Sequence, residues 1–155
     1  MNFAELTYED IDQHVMEQLV FEEDSMSPIL RGHILIEKIL ETLLSNHMLN
    51  AETFFKTRRS FDLKLDIAFS LDLINKKYYS AFKGINKIRN NFAHKHNFVL
   101  GFEELNSLKF DWAEIQHEAF AAACTKGPGE AAKIATIFLC WKAIRLIKEP
   151  QDGND

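Results

Sequence analysis

The chain has 155 residues, a net charge of −5, 46% hydrophobic and 26% charged residues, and only six Gly and three Pro. That length suits one domain. The scarcity of Gly and Pro argues against a loop-rich β-sandwich, no apolar run approaches the roughly 18 residues a membrane span needs, and the acidic balance argues against a general nucleic-acid binder.

The N-terminus, MNFAELTYEDID, has neither a basic n-region nor an apolar h-region. No signal peptide is expected, and the chain is expected in the cytoplasm. Thr7 followed by Asp10 has the spacing of a capping box. Ile11, Val15 and Leu19 then recur at helical spacing, predicting a first helix over about 8–21. EEDSMSP breaks the pattern. Ser27 before Pro28 has the form of an N-cap with Pro at the first helical position. A second helix over about 28–46 follows, carrying Ile29, Leu30, Ile36, Ile39, Leu40, Leu43 and Leu44. Asn50 is expected to cap a short piece holding Phe54 and Phe55.

The segment from Phe61, FDLKLDIAFSLDLI, is ambiguous. Phe61, Leu63, Leu65, Ile67, Phe69, Leu71 and Leu73 alternate strictly, which is a strand signature. Its β-branched residues are few, however, and Leu, Lys, Asp, Ala and Ser dominate, so helix is the expectation. A fourth helix over about 76–96 carries Tyr78, Phe82, Ile85 and Phe92. Residues 97–112 read as irregular, with a short turn near 103–107. A helical stretch from Trp112 to Ala123 ends at a KGPG loop, and a last helix over about 130–148 carries Ile134, Ile137, Phe138, Trp141 and Ile144. Residues 1–149 read as a single domain and 150–155 as a disordered tail. Cys124 and Cys140 form no CxxC pair and read as buried thiols in a reducing compartment.

Charge is unevenly spread. Residues 56–96 hold ten Lys or Arg and three Asp, a surplus of +7, which leaves −12 for the rest. Such a middle can present a phosphate-binding face, or it can be ordinary solvated helix surface. On a helical wheel Arg89 falls within about 20° of the Tyr78–Phe82–Ile85 stripe of the fourth helix. Glu37 falls within about 20° of Leu30 on the second. Burying either charge alone is costly, so the two are expected to pair, with Arg31 as a further charge partner. The alternative is that both lie at helix edges and reach water. Asn90 and His94, at i and i+4, share a face, whereas Arg89 and His94 lie about 140° apart.

The run Arg89-Asn-Asn-Phe-Ala-His94 resembles the Arg-x4-His motif of HEPN domains (higher eukaryotes and prokaryotes nucleotide-binding). A longer stretch, from Arg31-Gly32 through ILIEKILETLL and RRSFDLKLDIAFSLDLI to INKIRNNFAH, about residues 25–97, resembles the mannitol operon repressor (MltR)-like branch of that fold. The resemblance implies an all-α, up-and-down bundle of about five to six helices. It also implies one of two activities. Many HEPN domains are metal-independent endoribonucleases, working as homodimers and often paired with a nucleotidyltransferase-like antitoxin. In that chemistry the RNA 2′-OH attacks the adjacent phosphorus. His94 would transfer protons, Arg89 would hold the phosphate, and Asn90 would hold a phosphate oxygen or orient the imidazole. Lys83, Lys87, Lys95 and His96 are candidates for further phosphate contacts. The other activity is non-catalytic: a transcriptional regulator or protein-interaction scaffold. No cofactor and no metal are expected. His94-x-His96 lacks a nearby carboxylate or Cys to complete a metal site, and Gly127-Pro128-Gly129 lacks the spacing and the Lys-Ser/Thr of a phosphate loop.

Overall fold

The computed structural model describes residues 26–108 and 110–148, together with positions 5, 7, 9, 10 and 13. Among these residues the chain is all-helical. It holds α1 (Met26–His47), α2 (Ala51–Phe55), α3 (Phe61–Ser70), α4 (Lys76–His94), a 3-10 turn (Glu104–Leu108), α5 (Glu114–Lys126) and α6 (Pro128–Lys148). The helix expected over 8–21 and the tail after 149 lie largely outside the described residues. The cap that opens that helix is described: the Asp10 N–H donates to Thr7 Oγ1 at 3.2 Å, and the Thr7 N–H donates to Asp10 Oδ2 at 3.0 Å. No helix is long and apolar enough to cross a membrane among the described residues.

The ambiguous segment is a helix. Ser60 caps it by accepting the Leu63 N–H at 3.2 Å. Its inward face is Phe61, Lys64, Leu65 and Ala68, a helical spacing that crosses the alternating pattern. Three of the seven alternating residues therefore face outward, Leu63 and Phe69 each 40% exposed and Leu71 49%. The helix stops at Ser70, four residues earlier than expected, where Asp72 takes a left-handed backbone (φ 57°) and the chain turns into α4. Asn75 caps α4 through Oδ1, which accepts the N–H groups of Lys77 and Tyr78.

Other boundaries shift for local reasons. Ser27 lies inside α1, which already runs from Met26. Asn50 stands at the start of α2, but its side chain makes no capping hydrogen bond. Trp112 precedes α5 and packs in the core, and the Ala113 N–H is held by Gln116 Oε1 at 3.0 Å. The expected KGPG loop is a single residue, Gly127, whose φ of 123° reverses the chain. Pro128 and Gly129 already belong to α6, as suits a Pro with no N–H to offer.

α6 is the spine, packed against α1, α5, the 3-10 turn and α4; α1 in turn packs on α3 and α4. The α1–α6 approach is close because Gly32 has no side chain. A Cβ there would overlap the Thr136 methyl and stand 3.3 Å from Cys140 Sγ. On the face of α6 that carries Thr136, within about 40° of it, Ala132, Cys140 and Ala143 are buried. Cys140 is fully enclosed, which pushes its thiol pKa well up; Cys124 is only half-buried.

Candidate functional site

A cleft of about 380 Å³ opens where α1, the segment before α3, and α4 converge. Its floor is a polar chain running across three helices, from buried His33 and Asn86 to exposed Asp62. His33 of α1 is 5% exposed and stacks on Phe61 of α3, ring centroids 4.4 Å apart. His33 Nε2 lies 2.8 Å from Asn86 Oδ1 on α4. Asn86 Nδ2 in turn donates to Asp62 Oδ1 of α3 at 3.0 Å. The amide donates to a carboxylate, so its oxygen is the acceptor. The His33 proton therefore sits on Nε2 in the neutral ring. Burial pushes the His33 pKa down, against the opposing pull of Asn86, Glu37 and Asp62.

The walls carry charge. Glu37 comes from α1, Arg58 and Arg59 from the segment before α3, and Arg89 with Asn90 from α4. Glu37 and Arg89 do share this cleft, but the expected ion pair between them is replaced by another. Lys64 Nζ, only 3% exposed, lies 2.7 Å from Glu37 Oε1 and 2.6 Å from Glu41 Oε1. The physical reason lies on α3, where helical rather than strand geometry turns Lys64 inward onto α1. Burial works against charge on Lys64, but the hydrogen bonds to the two carboxylates outweigh it and raise its pKa. Glu41 is shifted down in the same way, burial being outweighed by its bonds to Lys38 and Lys64. Arg89 Nη1 instead donates to Asn90 Oδ1 at 2.9 Å. Arg59 Nε donates to the Phe54 carbonyl at 2.9 Å, with its guanidinium 4.9 Å from the Phe54 ring centroid.

A larger hollow of about 680 Å³ adjoins the cleft along Asp62, Asn86 and Asn90, and Lys83 and Lys87 stand on its walls. The remaining candidates lie elsewhere. His94 is exposed on the last turn of α4, and Lys95 and His96 are exposed beyond it. None of these three lines either hollow. Arg31 is half-buried on α1 and also lies outside both. No group of three or more His, Cys, Asp or Glu that could hold a metal occurs among the described residues.

The structure thus brings Arg89 and Asn90 together with residues not singled out in the sequence: His33, Asn86, Asp62, Arg58 and Arg59. One signal for His33 was present. With Leu30 at zero on the wheel it falls near 300°, beside Leu40 near 280° and Leu44 near 320°. A polar residue there is buried and needs a partner.

No protein-family model and no curated protein matches the sequence. Two solved structures do match in fold. One is a chain of the MtlR–HPr complex from Escherichia coli, with TM-score 0.63 and 13% identity over 89% of this chain and 98% of that one. The other is a possible transcriptional regulator, YggD, from Shigella flexneri 2a str. 2457T, with TM-score 0.65 and 14% identity over 92% of this chain and 97% of that one. At such identities the likeness is one of fold: this is a helical domain with the MtlR-like architecture.

Proposed function

We propose that the protein is a non-catalytic, cytoplasmic regulator of the MtlR kind, acting through contact with another protein. What supports the reading is the correspondence of fold over about nine-tenths of this chain and nearly all of each of two others, one in complex with HPr and one described as a possible transcriptional regulator. HPr-like proteins are accordingly the first partners to test. Deleting the gene should change a bounded set of transcripts, restored by the wild-type copy, and calorimetric titration with HPr from the same cell should give a saturable complex. An unchanged transcript profile together with no HPr binding would overturn the proposal.

The HEPN-type ribonuclease reading, with RNA as substrate and a nucleotidyltransferase-like antitoxin as partner, rests on Arg89, Asn90 and His94. Within one chain Arg89 and Asn90 line the cleft and His94 does not. That reading therefore requires a homodimer in which a second copy supplies the histidine. The purified protein is expected to leave single-stranded RNA intact in EDTA. Cleavage that yields 2′,3′-cyclic phosphate ends and disappears in His94→Ala would put the ribonuclease ahead of the regulator.

A further inference from the structure

We infer that a second hollow, between α1 and the segment joining α2 to α3, takes a carboxylate side chain of a partner protein, with a large apolar side chain of that partner seated on its rim. The inference rests on the reading of the protein as one that acts through contact with another protein, and it assigns one such contact to a surface.

The hollow measures about 380 Å³. Four cations and one carboxylate line it: Lys38 and Glu41 of α1, Arg58 and Arg59 of the joining segment, and Lys64 of α3. Glu41 is engaged at both oxygens. Its Oε1 accepts from Lys64 at 2.6 Å and its Oε2 from Lys38 at 2.8 Å. Glu37 also holds Lys64, so the two lysines and the two carboxylates cancel. The arginines are left over. Arg58 is exposed and has no ion partner among the described residues. Arg59 gives Nε to the Phe54 carbonyl, which cancels no charge and leaves its Nη protons to donate. Ser45 and Thr57 add exposed hydroxyls. Glu52, the other carboxylate of this corner, is exposed on α2 and lies outside the hollow. What remains uncancelled is two guanidinium forks, and a carboxylate meets such a fork with two oxygens.

The rim is apolar, which favours a protein over other anions. Phe55 lines the hollow and packs edge-on against Phe54, ring centroids 4.9 Å apart. α2 carries both rings and buries none of its residues. Leu49, in the turn before α2, is fully exposed. Arginine and aromatic side chains at one corner have the composition of a protein contact, where both are enriched. A membrane surface fits poorly, because amphipathic helices that lie in an interface are commonly far longer than the five residues of α2. A nucleic acid fits poorly too. Its phosphates gain nothing from Leu49, and Arg59 and Phe55 already pack on the Phe54 ring, the surface on which a base would stack.

The test titrates the full chain with a capped peptide, Glu-Glu-Leu-Phe-Glu-Glu, up to millimolar concentration and maps the amide chemical shifts. The same peptide with Gln for every Glu, a single-stranded DNA oligomer and phosphatidylserine vesicles are the comparisons. Saturable shifts are expected around Lys38, Leu49 and residues 54–59, weakening with salt. Affinity should fall about tenfold or more in Arg58→Glu and with the Gln peptide, and Leu49→Ser should weaken binding as well. Both substituted residues are exposed in loops, so the variants keep their fold. Lys126→Glu, on the exposed end of α5, should bind like wild type. No saturable shift, shifts confined to another face, or binding that ignores Arg58→Glu overturns the inference. So does binding of the DNA or the vesicles without the peptide. HPr binding in the absence of peptide binding sinks this inference alone, whereas peptide binding with no HPr complex and an unchanged transcript profile sinks the regulatory reading alone.

Discussion

The 2.8 Å hydrogen bond between His33 and Asn86 has only one direction open to it, because Asn86 is already donating to Asp62. The neutral ring therefore satisfies Asn86 without a charge. Protonation would place a cation in a site whose burial disfavours it. The groups facing the ring are Glu37 on α1, Asp62 on α3 and Arg89 on α4; the two carboxylates pull its pKa up, while Arg89 adds to burial in pushing it down.

This sets a sign for the pH dependence of stability. The folded-state pKa of His33 lies below the ordinary 6.5, so between the two values the unfolded chain binds more protons. The contribution is complete above about pH 6.5 and is lost as pH falls through the folded-state value. Thermal melts from pH 8 to pH 5 should show this slope beginning near about 6.5, and His33→Gln should flatten it. An imidazole resonance of His33 titrating above that of an exposed histidine would contradict the assignment.

Lys64 joins α3 to α1 through two carboxylates. Lys64→Met should remove about 3 kcal/mol of stability, because Glu37 and Glu41 then face each other with no cation between them. The triple variant Glu37→Gln, Glu41→Gln, Lys64→Met should recover most of the loss, since an uncharged set of similar volume leaves nothing stranded. Urea unfolding of the three proteins measures both outcomes, and equal stability of single and triple variants would refute the bridge.

Gly32→Ala should cost about 1–3 kcal/mol by overpacking α1 against α6. The Thr136 methyl is the atom overlapped, so adding Thr136→Ser, which removes that methyl and keeps the hydroxyl, should restore part of the loss. Strictly additive effects in the double-mutant cycle would mean that the two residues do not meet.

Asp72 holds a left-handed backbone at φ 57° between α3 and α4. Asp72→Gly should leave stability unchanged or raise it by up to about 1 kcal/mol, because glycine carries no Cβ penalty there. Asp72→Val should lower it by about 1–2 kcal/mol. Equal melting temperatures for the Gly and Val variants would count against that backbone conformation.

Much of the fold was legible because the long helices carry apolar residues at helical spacing and end at caps or glycine. The segment from Phe61 shows the limit. Its apolar residues alternate, so period alone cannot say that Lys64 rather than Leu63 faces inward; packing on α1 decides that. The same ambiguity hid the partner of Glu37. A charge on the inner face was correctly read as needing a counter-charge, but the nearest candidate in the pattern was Arg89, and Lys64 lay on a face that could not be assigned. Arg89 and Asn90 were found through a local motif. His33, Asn86 and Asp62 are separated by 53 and 24 positions along the chain, and no local pattern joins them. His94 shares the face of Asn90, which lines the cleft, but it stands one turn further along α4 and outside the cleft, a distance that the wheel angle does not register.

The small residues where α6 meets α1 make this interface vulnerable in one direction. Ala132 and Ala143, within about 40° of Thr136 around α6, are fully enclosed and lose no rotamer freedom on ordering, so this face is ordered at little entropic expense. Truncating such positions removes almost nothing, whereas any enlargement must push two backbones apart. A saturation scan of this seam would look unlike that of an ordinary core. Tolerance would track side-chain volume far more closely than hydrophobicity, and serine would be accepted where leucine is not.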